Sequence, residues 1–261
     1  MKQNAETGTD NLRMSVKGAA IGNGWFDPHN QYSIADFAYG RGLIGTPEAA
    51  AFRQSEIQCK RFLDNEVYGS TACYGMLSQL MKQAVGDDSD LKLSHYDVRK
   101  FEKRGKSRSF PPGHKVLETY LGGSKLEDPG TLPKNVYKQV LKAIHAEASM
   151  DAGQVFVECS DPPYDALQGI EDHGVVPDIV EILEHPSKVE LLFFNGVYDA
   201  IVNHVGNELA LESLPWTSRG QFVTAQRYAW NARSDPDNAV SGYMREFDNL
   251  KFLKVRDSGH M

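Results

Sequence analysis

The sequence is most informative at first through what it lacks. It has three cysteines in 261 residues, Cys59, Cys73 and Cys159, with no Cys-x-x-Cys pair and no histidine at ligand spacing. No metal site is therefore expected, and the odd count leaves one thiol either free or paired outside the chain. No apolar run approaches the roughly 20 residues of a membrane-spanning helix, so no bilayer crossing is expected. There is no basic surplus either: the net charge is −7, the pI is near 5.6, and the lysines and arginines are scattered. Nucleic acid is thus not an expected partner. The first fifteen residues, MKQNAETGTDNLRMS, are polar and have no signal-peptide pattern, which taken literally indicates a cytosolic protein, and no Asn-x-Ser/Thr acceptor occurs anywhere, which gives no glycosylation support for secretion. Internal repeats are absent as well. What is present is a 41% apolar fraction, enough for a sizeable core in one large domain or two small ones. A soluble globular protein that handles small molecules or peptides is the expectation.

Along the chain, VKGAAIGNGW (Val16 to Trp25) reads as a buried strand running into a Gly-Asn-Gly turn. From about Asn30, YSIADFAYGRGLI has helical spacing, with Ile34, Phe37, Ala38 and Ile44 on one side. Thr46-Pro47-Glu48 offers an N-cap, a proline at the first helical position and an acidic first turn. The helix it starts should run to Leu63, with Phe52, Cys59 and Leu63 on one stripe. Residues 86–131 change character, with GDDSD, the basic RKFEKRGKSRS and two Gly- or Pro-rich breaks, and are expected to be mostly irregular. The basic stretch reads as a solvated loop in preference to a processing site. PKNVYKQVLKAIH returns to helical spacing through Val136, Val140 and Ile144. VVPDIVEILEHP is a helix with Ile179, Ile182 and Leu183 inward. KVELLFFNG reads as a parallel strand covered on both faces, and LKFLKV as a closing strand. Between them, residues 207–241 read as helical pieces and loops. The pattern is α/β with an inserted helical subdomain.

In open α/β sheets, reactive groups gather beyond the carboxyl ends of the strands. Asp199 lies three residues past Gly196, after one predicted strand, and His260 follows the other. A carboxylate and an imidazole from neighbouring strand ends can form the orienter and base of an acyl-transfer triad. The competing readings are a turn-forming aspartate and a frayed terminal histidine.

Four stretches, in this order, resemble the serine carboxypeptidase family of α/β-hydrolases. They are LRMSVKGAAIGNGWFDP with FAYGRGLI, VYKQVLKAIH with ECSDPPYDAL, LLFFNGVYDAIVNHVGNE, and FLKVRDSGHM. Gly-Asn-Gly-Trp, the G-x-x-D-x-x-x-N-x-x-G-N-E run and Gly-His-Met carry the resemblance together, and ECSDPPYDAL points to the Kex-type prohormone-processing branch. The resemblance implies a partial α/β-hydrolase fold with strands equivalent to the last three. Residues 1–28 would give a strand and the GNGW loop, 29–160 a mostly helical insertion with an irregular loop near 86–131, and 161–261 the core part carrying Asp and His. It makes Asp199 the triad aspartate and His260 the triad histidine. Asn203, Asn207 and Glu208 would shape the pocket, and Asn23, Gly24 and Trp25 would belong to the architecture of the loop beside it. Val202 departs from the pattern, because several relatives have a cysteine there beside the substrate, so residue preference does not transfer.

The family's Gly-Glu-Ser-Tyr-Ala-Gly elbow is missing: no G-x-S-x-G occurs in the chain. By family order it belongs upstream of VKGAAIGNGW. The chain is therefore expected to be a C-terminal fragment that lacks the nucleophile and its oxyanion hole and is inactive alone. This would also explain the missing signal peptide and the odd cysteine count, a partner for Cys159 lying upstream. For the whole enzyme the resemblance implies cofactor-free release of amino acids from peptide or protein C-termini in the secretory pathway, vacuole or lysosome, Golgi or extracellular space. Association with the missing N-terminal part is the partner expectation. The alternatives are a related acyltransferase and a non-catalytic binding module.

Overall fold

The structure is a computed structural model that describes residues 15–86, 89–103, 139, 142–148, 166, 172–232 and 239–260. Residues 1–103 with 169–260 form one compact unit and residues 104–168 form another. All the elements below belong to the first unit. Its strands are β1 (Gly18–Gly22), β2 (Leu91–Leu93), β3 (Phe101–Lys103), β4 (Glu190–Gly196), β5 (Tyr228–Trp230), β6 (Gly242–Phe247) and β7 (Leu250–Val255). Its helices are α1 (Pro28–Gln31), α2 (Ala35–Gly40), α3 (Thr46–Asp64), α4 (Thr71–Gln83), α5 (Val176–Glu184), α6 (His204–Ser213) and α7 (Arg219–Thr224).

Five strands form one sheet in the order β1-β4-β7-β6-β5, and β2 and β3 pair as a separate hairpin. β1, β4 and β7 are parallel, whereas β6 and β5 continue antiparallel. The sheet is thus wider than three strands. β5 falls in YAW, inside the stretch expected to be helix and loop, and β6 in GYMREF. Both are short and half-exposed, so neither shows the continuous apolar run that marks β4.

The core follows from alternation along β4 and β7. Leu191, Phe193 and Asn195 point to one face with Leu250 and Phe252, and there Phe26 and residues of α5, α6 and α7 cover them. Leu192 and Phe194, on the other face, are only half-buried, so β4 is covered fully on one side and not on both. β1 differs more from expectation. Its glycines and alanines are exposed and Ile21 is half-buried, because it is the edge strand and pairs only with β4. In α5, Ile179 and Leu183 face inward, but Ile182 lies outside the buried stripe and is exposed.

A second apolar cluster joins α2, α3, α4 and β2 through Phe37, Phe52, Met76, Leu80 and Leu93. The helix expected from Asn30 is split into α1 and α2. Arg41 and Gly42 then close α2, and Gly42 takes a left-handed φ of 69°. α3 starts one residue earlier than expected: Gly45 is the N-cap and Glu48 reaches back 3.0 Å to its N–H. Cys59 of α3 and Cys73 of α4 form a disulfide. Cys159, Val136 and Val140 lie outside the described residues. So do residues 104–109 of the basic stretch, but Arg99 and Lys100 are in view, and Arg99 is tied to Asp97 instead of being a freely solvated cation.

Candidate active site

Because β1, β4 and β7 are parallel neighbours, their carboxyl ends open on the same edge of the sheet. Asn23, Asp199 and His260 follow those three ends. At Asp199 the chain turns sharply, and its Oδ1 accepts the N–H groups of Ile201 at 2.9 Å and Val202 at 3.1 Å. Its Oδ2 meets His260 Nδ1 at 2.8 Å. The carboxylate is wholly buried, whereas a quarter of the imidazole is exposed. Burial pushes the Asp199 carboxyl above its usual range, against the opposing pull of His260 and the two backbone donors. An ionised carboxylate only accepts, so Nδ1 carries the proton in this pair and Nε2 is left for chemistry.

Asn23 ties the three strand ends together. Its own N–H donates to Phe194 O at 2.8 Å, and its Oδ1 accepts the Gly196 N–H at 3.1 Å. Its Nδ2 donates to the carbonyls of His260 at 2.6 Å and Gly259 at 3.3 Å. The residue sits at φ 46°, a left-handed conformation that asparagine tolerates better than most side chains. At Gly196 a side chain is excluded outright, since a Cβ there would lie 1.9 Å from Gly259 O.

Beneath this edge runs a buried chain of amides. Gln31 Oε1 accepts the N–H groups of Phe26 and Asp27, each at 2.7 Å, and its Nε2 reaches Gly24 O at 2.7 Å and also Asn207. Asn207 Nδ2 donates to Asn195 Oδ1 at 2.7 Å, and Asn195 Nδ2 donates to Val202 O at 3.0 Å, just past Asp199. Asn203 caps α6 by accepting from Val205 and Gly206, and it holds Ser33 O at 2.8 Å. Glu208 faces away and pairs with Lys254 at 2.6 Å and Arg245 at 3.5 Å. Of the expected pocket and loop residues, Trp25 and Asn203 line a cavity, Gly24 lends it a carbonyl contact through Gln31, and Glu208 is part of an ion-pair cluster.

That cavity has a volume of about 450 Å³ and begins at Ala200, one residue past Asp199. Trp25, Tyr32, Ile34, Met76, Leu77 and Val202 supply apolar walls, and Cys73 of the disulfide also lines it. Trp25 packs edge-on against Tyr32, and Tyr32 against Tyr74. Burial, with the nearby Asp172 charge, drives the Tyr32 phenol far above its usual range, so it stays a neutral donor to Asp172 at 3.2 Å. Among the described residues no cluster of three His, Cys, Asp or Glu side chains could hold a metal ion.

One contributor gave no signal in the sequence. The loop between β2 and β3 lies against the site, with the Tyr96 and His260 rings 5.4 Å apart and Tyr96 O accepting the His260 N–H at 2.7 Å. It comes from the region expected to be irregular, and three-residue strands give too short an alternation to recognise.

A buried carboxylate orienting an imidazole at the ends of adjacent parallel strands fits many folds, and comparison with known proteins narrows the choice. The serine carboxypeptidase family model matches residues 1–261. The chain belongs to the serine carboxypeptidase family. Among curated members, it is 27% identical over 261 residues to the pheromone-processing carboxypeptidase KEX1 of Phytophthora infestans, covering 100% of this chain and 40% of that protein. It is 26% identical to KEX1 of Coprinopsis cinerea, covering 96% and 38%, and 25% identical to serine carboxypeptidase S10 family member 2 of Dictyostelium discoideum, covering 100% and 43%. The chain therefore spans about two fifths of the length of these carboxypeptidases. In fold it is similar to the crystal structure of Kex1(delta)p, a prohormone-processing carboxypeptidase from Saccharomyces cerevisiae, with a TM-score of 0.71 at 20% identity, over 99% of this chain and 53% of the other. The fold is thus a partial α/β-hydrolase.

Proposed function

We propose that Asp199 and His260 are the orienter and general base of a serine-type carboxypeptidase whose nucleophile lies outside these 261 residues. The carrying observation is the 2.8 Å contact from Nδ1 to a fully buried carboxylate. In the reaction so inferred, a serine hydroxyl attacks the scissile carbonyl and gives its proton to His260 Nε2. His260 returns that proton to the departing amine, and Asp199 stabilises the imidazolium formed in between. Water then repeats the sequence on the acyl-enzyme and frees the shortened peptide. Asn23, Asn203 and Asn207 act by holding the strand ends and the loop after Asp199, not by touching the reacting atoms.

The substrate class is peptide or protein C-termini, and the apolar recess beside Asp199 would take a substrate side chain. No described residue that lines it carries a formal charge, so it favours apolar residues over charged ones. The Cys59–Cys73 disulfide supports an oxidising, secretory-route location. No helix among the described residues is long and apolar enough to cross a membrane.

The test uses a blocked dipeptide and two proteins. The chain alone should release no amino acid above a His260→Ala control, because it contains no G-x-S-x-G elbow. A chimera with the N-terminal part of the Phytophthora infestans relative joined ahead of Met1 should do so. A folded but inactive chimera would refute the assignment, and hydrolysis by the chain alone would refute the placement of the nucleophile.

A further inference from the structure

Within seven residues, the loop between β2 and β3 bonds to His260 and to the residues on either side of Asp199. His95 O accepts the N–H groups of Ala200 at 3.0 Å and Ile201 at 3.1 Å, on one side of Asp199, and the Val98 N–H donates to Tyr198 O at 3.0 Å, on the other. Between these contacts, Tyr96 O accepts the His260 N–H at 2.7 Å. Gly259 packs so closely that a Cβ there would lie 2.4 Å from Tyr96 O and 2.8 Å from Asp97 Cβ. Both halves of the pair therefore hang on the conformation of one short loop.

That loop is fixed by Asp97. Asp97 is buried at 5% exposure, and its carboxylate receives Arg99 Nε at 2.9 Å, Arg99 Nη2 at 2.8 Å and the Arg99 N–H at 3.2 Å. The Asp97 carbonyl accepts the Lys100 N–H at 2.9 Å, which closes the turn. The Arg99 guanidinium then lies 4.4 Å over the Tyr198 ring, next to Asp199 in sequence. Burial alone would favour a neutral Asp97, but the hydrogen bonds and charge of Arg99, with Lys100, reverse this and hold the carboxyl below its usual range. A two-bond fork between guanidinium and carboxylate fixes direction as well as distance, which a single contact cannot do.

We propose that Asp97, acting through its fork with Arg99, is a positioning residue that sets the register of His260 against Asp199. It touches neither substrate nor the reacting nitrogen. The inference rests on the reading of Asp199 and His260 as an orienter and base, and it adds a device outside the sheet that keeps them aligned.

The test is the Nδ1 proton of His260, followed by nuclear magnetic resonance in the ¹⁵N-labelled full chain. In the wild type this proton should give a slowly exchanging, downfield signal from its bond to Asp199. In Asp97→Asn its exchange with water should rise about tenfold or more, the effect of weakening one buried charge-assisted bond. Arg99→Lys, which retains charge but loses the fork, should fall between the two. The amide protons of Leu192 and Phe252 in β4 and β7 should exchange as in the wild type. If the wild type lacks the signal, the orienter-and-base reading itself fails, and the present proposal with it. If the signal is present and Asp97→Asn leaves its exchange unchanged, positioning by Asp97 is refuted while the pair stands. Strand amides that open in step with the Nδ1 proton refute it too, since the effect would then be general loosening. Should Asp97→Asn not fold, Arg99→Lys decides by the same criteria.

Discussion

At the scale of single residues, two buried ionisable groups pull stability in opposite directions with pH. His204 is the first residue of α6. Its Nδ1 is buried with no partner among the described residues, and its ring faces Phe37 at 5.9 Å. Burial, helped by the charges of Lys254 and Arg41, lowers its pKa from 6.5 to about 3. Between those values the unfolded chain binds more protons than the folded one, so stability falls as pH drops from 6.5 toward 3. Asp199 has the reverse sign. Its folded pKa is raised, so its ionisation costs stability as pH climbs above the 3.8 of an unfolded aspartate and through the folded value. The His204 share can be isolated by substitution. His204→Phe keeps an aromatic ring against Phe37 and removes the titration. Its melting temperature is expected to drop less than that of the wild type between pH 6.5 and pH 4. Parallel curves for the two proteins would show that His204 does not carry the acid sensitivity.

At the scale of elements, α3 and α4 are tied across a short connection by one disulfide. The Cys59–Cys73 bridge closes a separation of 14 residues, and Ser70 caps α4 by accepting the Ala72 N–H at 3.2 Å. Closing a loop of that size removes enough unfolded-chain entropy to stabilise by about 3 kcal/mol. Reduction, or Cys59→Ser with Cys73→Ser, is expected to lower unfolding free energy by roughly that amount in a urea titration. It should also loosen the cavity wall that Cys73 forms. An unchanged midpoint after verified reduction would contradict this. The elements also show what local sequence can and cannot convey. Strong, long patterns were legible: β4 and β7 from their apolar runs, α3 from its proline and acidic start, and α5 from its stripe, apart from Ile182. β5, β6 and the β2–β3 hairpin were not, because strands of three to six residues with half-exposed faces draw their stability from neighbours, not from their own periodicity. The exposure of β1 was equally hidden, since GAAIG reads the same at an edge as in a centre.

At the scale of the whole molecule, three parallel strands deliver an asparagine, an aspartate and a histidine to one edge of a sheet. The positions of Asp199 and His260 were readable because each follows a recognisable strand, and the resemblance to serine carboxypeptidases gave them roles. The contacts that hold them were not readable, because His95, Tyr96 and Asp97 reach the site through backbone atoms and an ion pair distant in sequence. Membership of the family and the partial α/β-hydrolase fold rest on the family match and the fold likeness. That the pair is the working base of a carboxypeptidase is the central claim, and one measurement bears on it most directly. In the chimera with the Phytophthora infestans N-terminal part, kcat/KM on a blocked dipeptide is compared between wild type and His260→Ala. The claim predicts a fall of about 10⁴-fold or more with the fold intact. A His260→Ala chimera within about tenfold of the wild type would contradict it, since a loss that small lies below the roughly 100-fold or more that a positioned general base contributes.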